Sequence, residues 1–395
     1  MNNKGSIRVL QVIDSLGMGG AETWLMEVLR LWSKSEVGRF DFLATSGRPG
    51  IFDEEARRLG AHVHYVRYGR AHLLRFAKQF RQVLREGQYH AIHDHQDYAS
   101  GWHFLIGASA LPPVRVTHVH NPAYQIRNNY GVTRSRRVTA RLGKALVARY
   151  STHITGTSRQ IITEYGFDAP GFCRIPKGAL YCGLDPARFL GDAETAKASV
   201  CAEFAWPANA KIILFAGRID RSPELSHPQN HKNSGFAVSV GIECARRDPS
   251  VRMILAGACS SAVPILEERI AAAGLAGRIQ FAGIRRDIGR LMVGSDVLIF
   301  PSRGEGLGMV VVEAQAAGLP VLVSHSVPRE CVVVPELVWF EKVEAGQTVW
   351  SADLLQIAAR SKHILDANKR IAASAFSIEN SARALLRLYG EGTLS

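Results

Sequence analysis

Residues 300–320, F-P-S-R-G-E-G-L-G-M-V-V-V-E-A-Q-A-A-G-L-P, constrain the fold more than any other part of the chain. Just ahead, residues 296–300 form a short apolar run of the buried-strand kind. Pro301 ends that strand, because proline cannot donate to a ladder. Gly304, Gly306 and Gly308 permit a turn in which backbone can approach a ligand closely. Residues 309–317 read as a helix, closed by Gly318 and Pro320, and residues 321–323 begin the next strand. Strand, glycine-rich loop, helix, strand is the unit of an open α/β sheet, whose ligands sit at the carboxyl ends of the strands. Two acids stand at that place: Glu305 in the loop and Glu313 eight positions later in the helix.

The same alternation runs through the whole chain. Strands are expected at 7–13, 40–44, 62–66, 91–93, 114–119 and 152–156, with helices at 21–32, 72–85, 98–110 and 133–150. A polar, alanine-rich stretch at 190–210 reads as a linker. Strands at 211–216, 251–257 and 278–281 then alternate with helices at 234–246, 265–273 and 287–293 and lead into the 300–320 unit. After residue 322 the pattern is less regular, with helices at 352–364 and 376–389. Alternation of this kind predicts parallel sheets covered by helices on both faces. A length of 395 residues suggests two such domains.

The glycines after the first strand, Gly17, Gly19 and Gly20, open onto a helix N-terminus, which suits an anion. A dinucleotide fingerprint would require a third glycine at position 22, where Glu22 stands, so that class is excluded at the residue needed for close packing. A net charge of +13 favours an anionic partner. Residues 127–149 carry seven basic side chains (Arg127, Arg134, Arg136, Arg137, Arg141, Lys144, Arg149) and no acid. Arg134, Arg137, Arg141 and Lys144 are spaced to share one helix face, with Val138, Leu142 and Ala145 as an adjoining apolar stripe. That pattern suits an anionic membrane surface; the plain alternative is a solvated basic face. No run reaches the ~18 apolar residues of a membrane span, no signal peptide is expected, and six cysteines without a C-x-x-C read as reduced thiols.

His93 and His95 end one expected strand, and His118 and His120 end another. Alternate residues of a strand share a face and could ligate a metal, but no third ligand of suitable spacing is visible, so no metal is expected.

The pattern P-S-x-x-E-G-x-G-x-x-x-x-E-A-x-A-x-G-x-P resembles the signature of retaining glycosyltransferases of family four. Their GT-B fold has two Rossmann-like domains whose parallel sheets face across a cleft. The resemblance implies an acceptor domain at 1–195, joined by the last helix at 376–395, and a nucleotide-sugar domain at 208–375. It makes Glu305 and Glu313 the family's Glu-x7-Glu pair. Glu313 would hold the ribose hydroxyls, and Glu305, with Gly306, Leu307 and Gly308, the donor sugar. Gly19-Gly20-Ala21-Glu22 is similar to the G-G-A-E loop at the donor diphosphate. Arg218 and Lys232 match the cations that hold the diphosphate and stabilise the leaving group without a metal, although the loop joining them is longer than usual in the family. H-V-H-N at 118–121 resembles the segment where a histidine meets the donor sugar, which assigns that role to His120, with His118 as runner-up. Gly283 to Arg286 would meet the nucleotide base. At 175–189, Cys182 stands where relatives carry asparagine, and no site residue is taken from there.

The resemblance spans nearly the whole chain and, within the family, is strongest to enzymes assembling bacterial capsular polysaccharides or exopolysaccharides. It implies a cytoplasmic, metal-independent, retaining hexosyltransferase, peripheral on the inner face of the plasma membrane. A UDP-sugar is the expected donor, with a glycan or polyprenyl-linked acceptor and no nucleic-acid partner. A GT-B-fold sugar-nucleotide epimerase is the alternative. A non-catalytic nucleic-acid binder is the remote one, since the basic run lacks interleaved aromatics for stacking.

Overall fold

The structure, a computed structural model, describes residues 7–35, 37–130, 133–224, 226–360, 364 and 366–393, without the side chains at 126, 127, 129 and 130. The chain divides into two compact units, Met1–Leu184 with Ala375–Ser395, and Asp185–Ser374.

The first unit is built on seven parallel strands: β1 (Ile7–Ile13), β2 (Gly38–Ala44), β3 (Val63–Tyr65), β4 (Ala91–Asp94), β5 (Val114–Val119), β6 (His153–Gly156) and β7 (Lys177–Ala179). Their order is β3-β2-β1-β4-β5-β6-β7. The second unit has β8 (Lys211–Ala216), β9 (Val251–Ala256), β10 (Ile279–Gly283), β11 (Val297–Phe300), β12 (Val321–Ser324) and β13 (Val338–Glu341), in the order β10-β9-β8-β11-β12-β13. Each sheet reverses direction of growth beside its first strand, at β1/β4 and at β8/β11. The loops at these carboxyl ends diverge and leave room for a ligand.

The strands most central to the sheets, such as K-I-I-L-F-A in β8, are apolar in succession because helices cover both faces. Strands β7 and β13 escape the sequence pattern, being short and at the sheet edges, where one flank has no neighbour to demand β-branched residues. The expected linker at 190–210 is instead mostly the helix Ala193–Glu203 of the second unit, capped by the Asp192 side chain on the Thr195 N–H at 3.1 Å. Lys197 ties it to Asp296 at 2.8 Å. The last helix, Ile378–Gly390, belongs to the first unit, where Ser381 accepts from the Trp24 indole at 2.8 Å.

The basic stretch forms the helix Arg134–Tyr150; Arg127 falls among the side chains outside the described set. Glycines decide which way this helix faces. Gly101, on the helix Ser100–Gly107, approaches it so closely that a Cβ there would lie 2.2 Å from the Gly143 carbonyl oxygen. With Gly143 and Val147 turned inward, Val138 (50%) and Leu142 (49%) are left exposed beside Arg134, Arg137 and Arg141. Lys144 does not share their free face: its ammonium donates to the Tyr165 carbonyl at 2.5 Å and lies over the Tyr165 ring.

Because the obstacle to a Gly101 side chain is backbone, it cannot swing aside. Gly101→Ala should therefore destabilise the first unit by about 1–3 kcal/mol. Thermal unfolding checks this, and a wild-type midpoint would show that the two helices are not in rigid contact.

Candidate functional site

In the second unit, two loops leave the neighbouring ends of β8 and β11 and are held together by polar bonds. The loop after β8 is organised by Asp220, which is 1% exposed. Its carboxylate accepts the backbone N–H groups of His231 (3.0 Å), Lys232 (3.2 Å) and Ser234 (2.9 Å). This gathers a long polar segment onto one buried anion and brings Lys232 to the start of the helix Ser234–Arg247. Asn233 takes left-handed backbone, φ 59°, between them, a conformation asparagine tolerates better than most residues.

The loop after β11 docks on that segment. The Arg303 N–H and the Ser302 hydroxyl both donate to the His231 carbonyl, at 2.8 and 2.9 Å. Ser302 also hydrogen-bonds Glu305, and Ser324 donates to the Ser302 carbonyl. The result is an ion pair between Lys232 Nζ and Glu305 Oε1 at 2.7 Å, with the ammonium 5.5 Å above the Phe300 ring. Lys232 and Glu305, 73 positions apart in sequence, thus share one spot. Arg218 lies on the same strand-end loop, exposed, with no hydrogen bond or ion pair among the described residues. Leu307 is buried and pins the turn. Gly306 precedes it, half-buried. Gly308 needs to be glycine, since φ is +93° and a Cβ would meet Val327 at 2.7 Å. Glu313 follows on the helix Met309–Ala316, where burial raises its carboxyl pKa against the lowering influence of Arg188 and Lys232. Of the base-contact candidates, Arg285 is engaged by Glu203 and Asp287, whereas Ile284 and Arg286 are exposed.

In the first unit, Gly19 and Gly20 open the helix Gly20–Ser35 at the end of β1. Glu22 folds back over this turn: a Cβ on Gly19 would fall 2.1 Å from Glu22 Oε2, whereas Gly20 faces open space. Burial raises the Glu22 carboxyl above its ordinary range.

The ends of β4 and β5 bring His93, His95, His118 and His120 together. One ligand atom from each of His93, His95 and His118 lies within 4.8 Å of the others, so the fold assembles the third imidazole that sequence spacing did not offer. Those nitrogens also bond to one another and to Gln11 and Tyr389. His93 pairs with His118 at 3.1 Å and with Tyr389 at 2.5 Å, and His95 pairs with His120 at 2.7 Å. Burial pushes the pKa of His93, His95 and His118 far down and that of His120 to about 3. His120 is the half-buried member of the four, and His118 is fully buried. The backbone N–H of His120 donates to the Asp97 carboxyl at 3.0 Å. Asp97 itself adopts left-handed backbone, φ 52°.

The residues anticipated from sequence therefore form two groups: Arg218, Lys232, Glu305, Gly306, Leu307, Gly308 and Glu313 in one unit, and Gly19, Gly20, His118 and His120 in the other. Asp220, Asp97, Gln11 and Tyr389 went unnoticed, and Ser302 stood only as a letter of the signature. Each acts on a partner distant in sequence, and only for Asp220, an acid directly after Gly217-Arg218-Ile219, does position offer a clue.

Residues 19–178 match the sequence family described as glycosyl transferase 4-like domain, and residues 210–361 match glycosyl transferases group 1. The chain is similar to the glycosyltransferase EpsF of Bacillus subtilis (strain 168), 28% identical over 397 residues, covering 99% of this chain and 98% of EpsF. It is also similar to the lipopolysaccharide core biosynthesis mannosyltransferase LpsB of Rhizobium meliloti (strain 1021), 33% identical over 134 residues, covering 31% of this chain and 37% of LpsB. Among solved structures, Anabaena HepE in complex with UDP superposes with a TM-score of 0.75 at 18% identity, covering 98% of this chain and 100% of HepE. At that identity the likeness establishes the GT-B fold alone.

Asp97 yields a pH-dependent stability. Burial raises its carboxyl to about 7, outweighing the hydrogen bonds from His120 and Asn121 that lower it. The folded protein therefore holds this proton more tightly than the unfolded chain does. The stability the group contributes is full below about pH 4 and is lost as pH rises to about 7, roughly 4 kcal/mol in all. Asp97→Asn cannot titrate, so its unfolding midpoint should gain on wild type between pH 5 and pH 8. A constant difference across that range would refute the raised pKa.

Proposed function

We propose that this chain, which belongs to the GT-B glycosyltransferases of family four, is a retaining hexosyltransferase of bacterial surface polysaccharide synthesis. It would take its sugar from a nucleoside-diphosphate donor, foremost a UDP-sugar, and pass it to a glycan or polyprenyl-linked acceptor. The observation that carries this reading is the Lys232–Glu305 pair at 2.7 Å, supported by Asp220 and Ser302 at the β8/β11 switch point.

A nucleotide sugar asks for two things side by side: positive charge for the diphosphate and carboxylate acceptors for the hydroxyls. Lys232 and exposed Arg218 supply the first; Glu305 and Glu313 supply the second. A carboxylate presents two oxygens and can accept from both ribose hydroxyls, the role given to Glu313. Glu305 accepts from the sugar. As the bond from the anomeric carbon to the phosphate oxygen breaks, negative charge grows on the departing diphosphate. A preformed cation stabilises that state most in a site shielded from water. The two cations take the place a metal holds in other transferases. HepE binds UDP on the same fold, which favours uracil in the donor.

The epimerase alternative would use the same donor groups without an acceptor, and nothing in the geometry favours it. The exposed Val138 and Leu142, flanked by Arg134, Arg137 and Arg141, support docking on an anionic membrane where a lipid-linked acceptor would reside. No helix of the described residues is long and apolar enough to cross a membrane.

Lys232→Ala should lower turnover by ~10²–10³, and UDP should raise the unfolding midpoint of wild type but not of Glu313→Ala. Wild-type turnover in the first variant, or no shift with UDP or GDP in wild type, would sink the donor site. Vesicles containing anionic lipid should co-sediment the protein at low salt and release it at high salt. Absence of binding at low salt would end the membrane reading.

A further inference from the structure

The four strand-end histidines are links in one continuous hydrogen-bonded chain through the core of the first unit. From the surface inward it runs His120 Nε2 to His95 Nδ1 (2.7 Å), and His95 Nε2 to Gln11 Oε1 (2.9 Å). It continues from Gln11 Nε2 to the Tyr389 hydroxyl (3.1 Å), on to His93 Nδ1 (2.5 Å), and from His93 Nε2 to His118 Nδ1 (3.1 Å). Strands β1, β4 and β5 and the last helix each contribute a link.

The direction of every bond follows from the amide at its centre. A neutral imidazole has one N–H and one lone pair, and burial keeps all four rings neutral. Gln11 Oε1 can only accept, so His95 carries its proton on Nε2. That leaves His95 Nδ1 as an acceptor, so His120 must carry its proton on Nε2 as well. On the other side Gln11 Nε2 donates to Tyr389, whose own proton then goes to His93 Nδ1. His93 donates from Nε2 to His118, and His118 Nε2, the far end, is buried without a partner among the described residues. At the near end, His120 Nδ1 holds a bare lone pair on a half-buried ring.

We propose that Gln11, His95 and Tyr389 are positioning residues that lock His120 as the Nε2–H tautomer. Its Nδ1 thereby becomes an obligate hydrogen-bond acceptor for a hydroxyl of the donor sugar. The second half of this statement rests on the reading of His120 as the residue that meets that sugar. The locked ring prefers a sugar with a free hydroxyl at the contacted position and disfavours the deoxy, keto or O-alkyl analogue, which has no proton to give. A metal reading of the same cluster fits less well. An ion at His93, His95 and His118 would consume the lone pairs by which the chain is joined and strand Gln11 and Tyr389 in the core without partners.

The test is nitrogen NMR of protein labelled with 15N-histidine, with the His120 signals assigned by their loss in His120→Gln. In wild type His120 should show a protonated Nε2 and a bare Nδ1. Tyr389→Phe removes the acceptor that orients the Gln11 amide while keeping the ring packed, so His120 should become a mixture of tautomers. Its kcat/KM should also fall, roughly tenfold for one neutral hydrogen bond. A proton on Nδ1 in wild type, or a single unchanged tautomer in Tyr389→Phe, would overturn the lock. Stoichiometric Zn²⁺ binding that abolishes the His93 and His118 N–H signals would overturn it too. Wild-type kcat/KM in His120→Ala would overturn the sugar contact alone, since the NMR result does not depend on it.

Discussion

All strands of both sheets run parallel, and this constraint governs where chemistry can occur. A parallel sheet needs crossover helices, and these cover both of its faces. Polar side chains are thereby driven off the faces and out to the strand ends. At β1/β4 and β8/β11, where connections depart to opposite sides, the loops part and polar groups can gather without burying an unpaired charge. Arg218, Asp220, Asp97, His95, His120, Glu305 and Gly308 all lie in segments just past such ends. Gln11, His93 and His118 sit inside β1, β4 and β5, and the Gln11 amide is bonded to His95 and Tyr389.

Both sites solve the same problem, which is to hold a functional side chain still on irregular backbone. In each, a buried carboxylate collects backbone N–H groups: Asp220 for the segment bearing Lys232, and Asp97 for the strand end bearing His120. A carboxylate that accepts several such bonds replaces the ladder bonds that a loop lacks. Burial dominates at Asp97 and raises its pKa. Asp220 accepts three backbone N–H groups through its two oxygens. Lys232 and Glu305 then neutralise one another, so the region presents a matched pair, with Arg218 as the exposed cation beside it.

The helix carrying the basic residues illustrates how packing decides which side of an amphipathic pattern is displayed. The inward side is Gly143 and Val147, because two glycine-mediated backbone contacts let this helix approach its neighbour more closely than leucine would allow. The apolar stripe is consequently displayed among arginines. Lys144, which the spacing grouped with them, turns back to Tyr165.

The sequence by itself determined the alternation of strands and helices, the two-sheet architecture, and the loop carrying Glu305 and Gly308 with the helix carrying Glu313. These are local: proline and glycine stop strands and helices through their own backbone chemistry, and burial on both faces writes an unbroken apolar run. It did not reveal β7 or β13, whose short edge segments bury too little to leave a pattern, nor the helix Ala193–Glu203, whose alanines and single Asp192 cap resembled a linker. Only the tertiary structure decided that Lys232 meets Glu305, that Asp220 holds the loop between, and that four histidines, a glutamine and the tyrosine of the last helix form one chain. Hydrogen bonds and ion pairs across 73 or 378 positions depend on strand order and register, and these follow from how whole elements pack rather than from the residues adjacent to each partner.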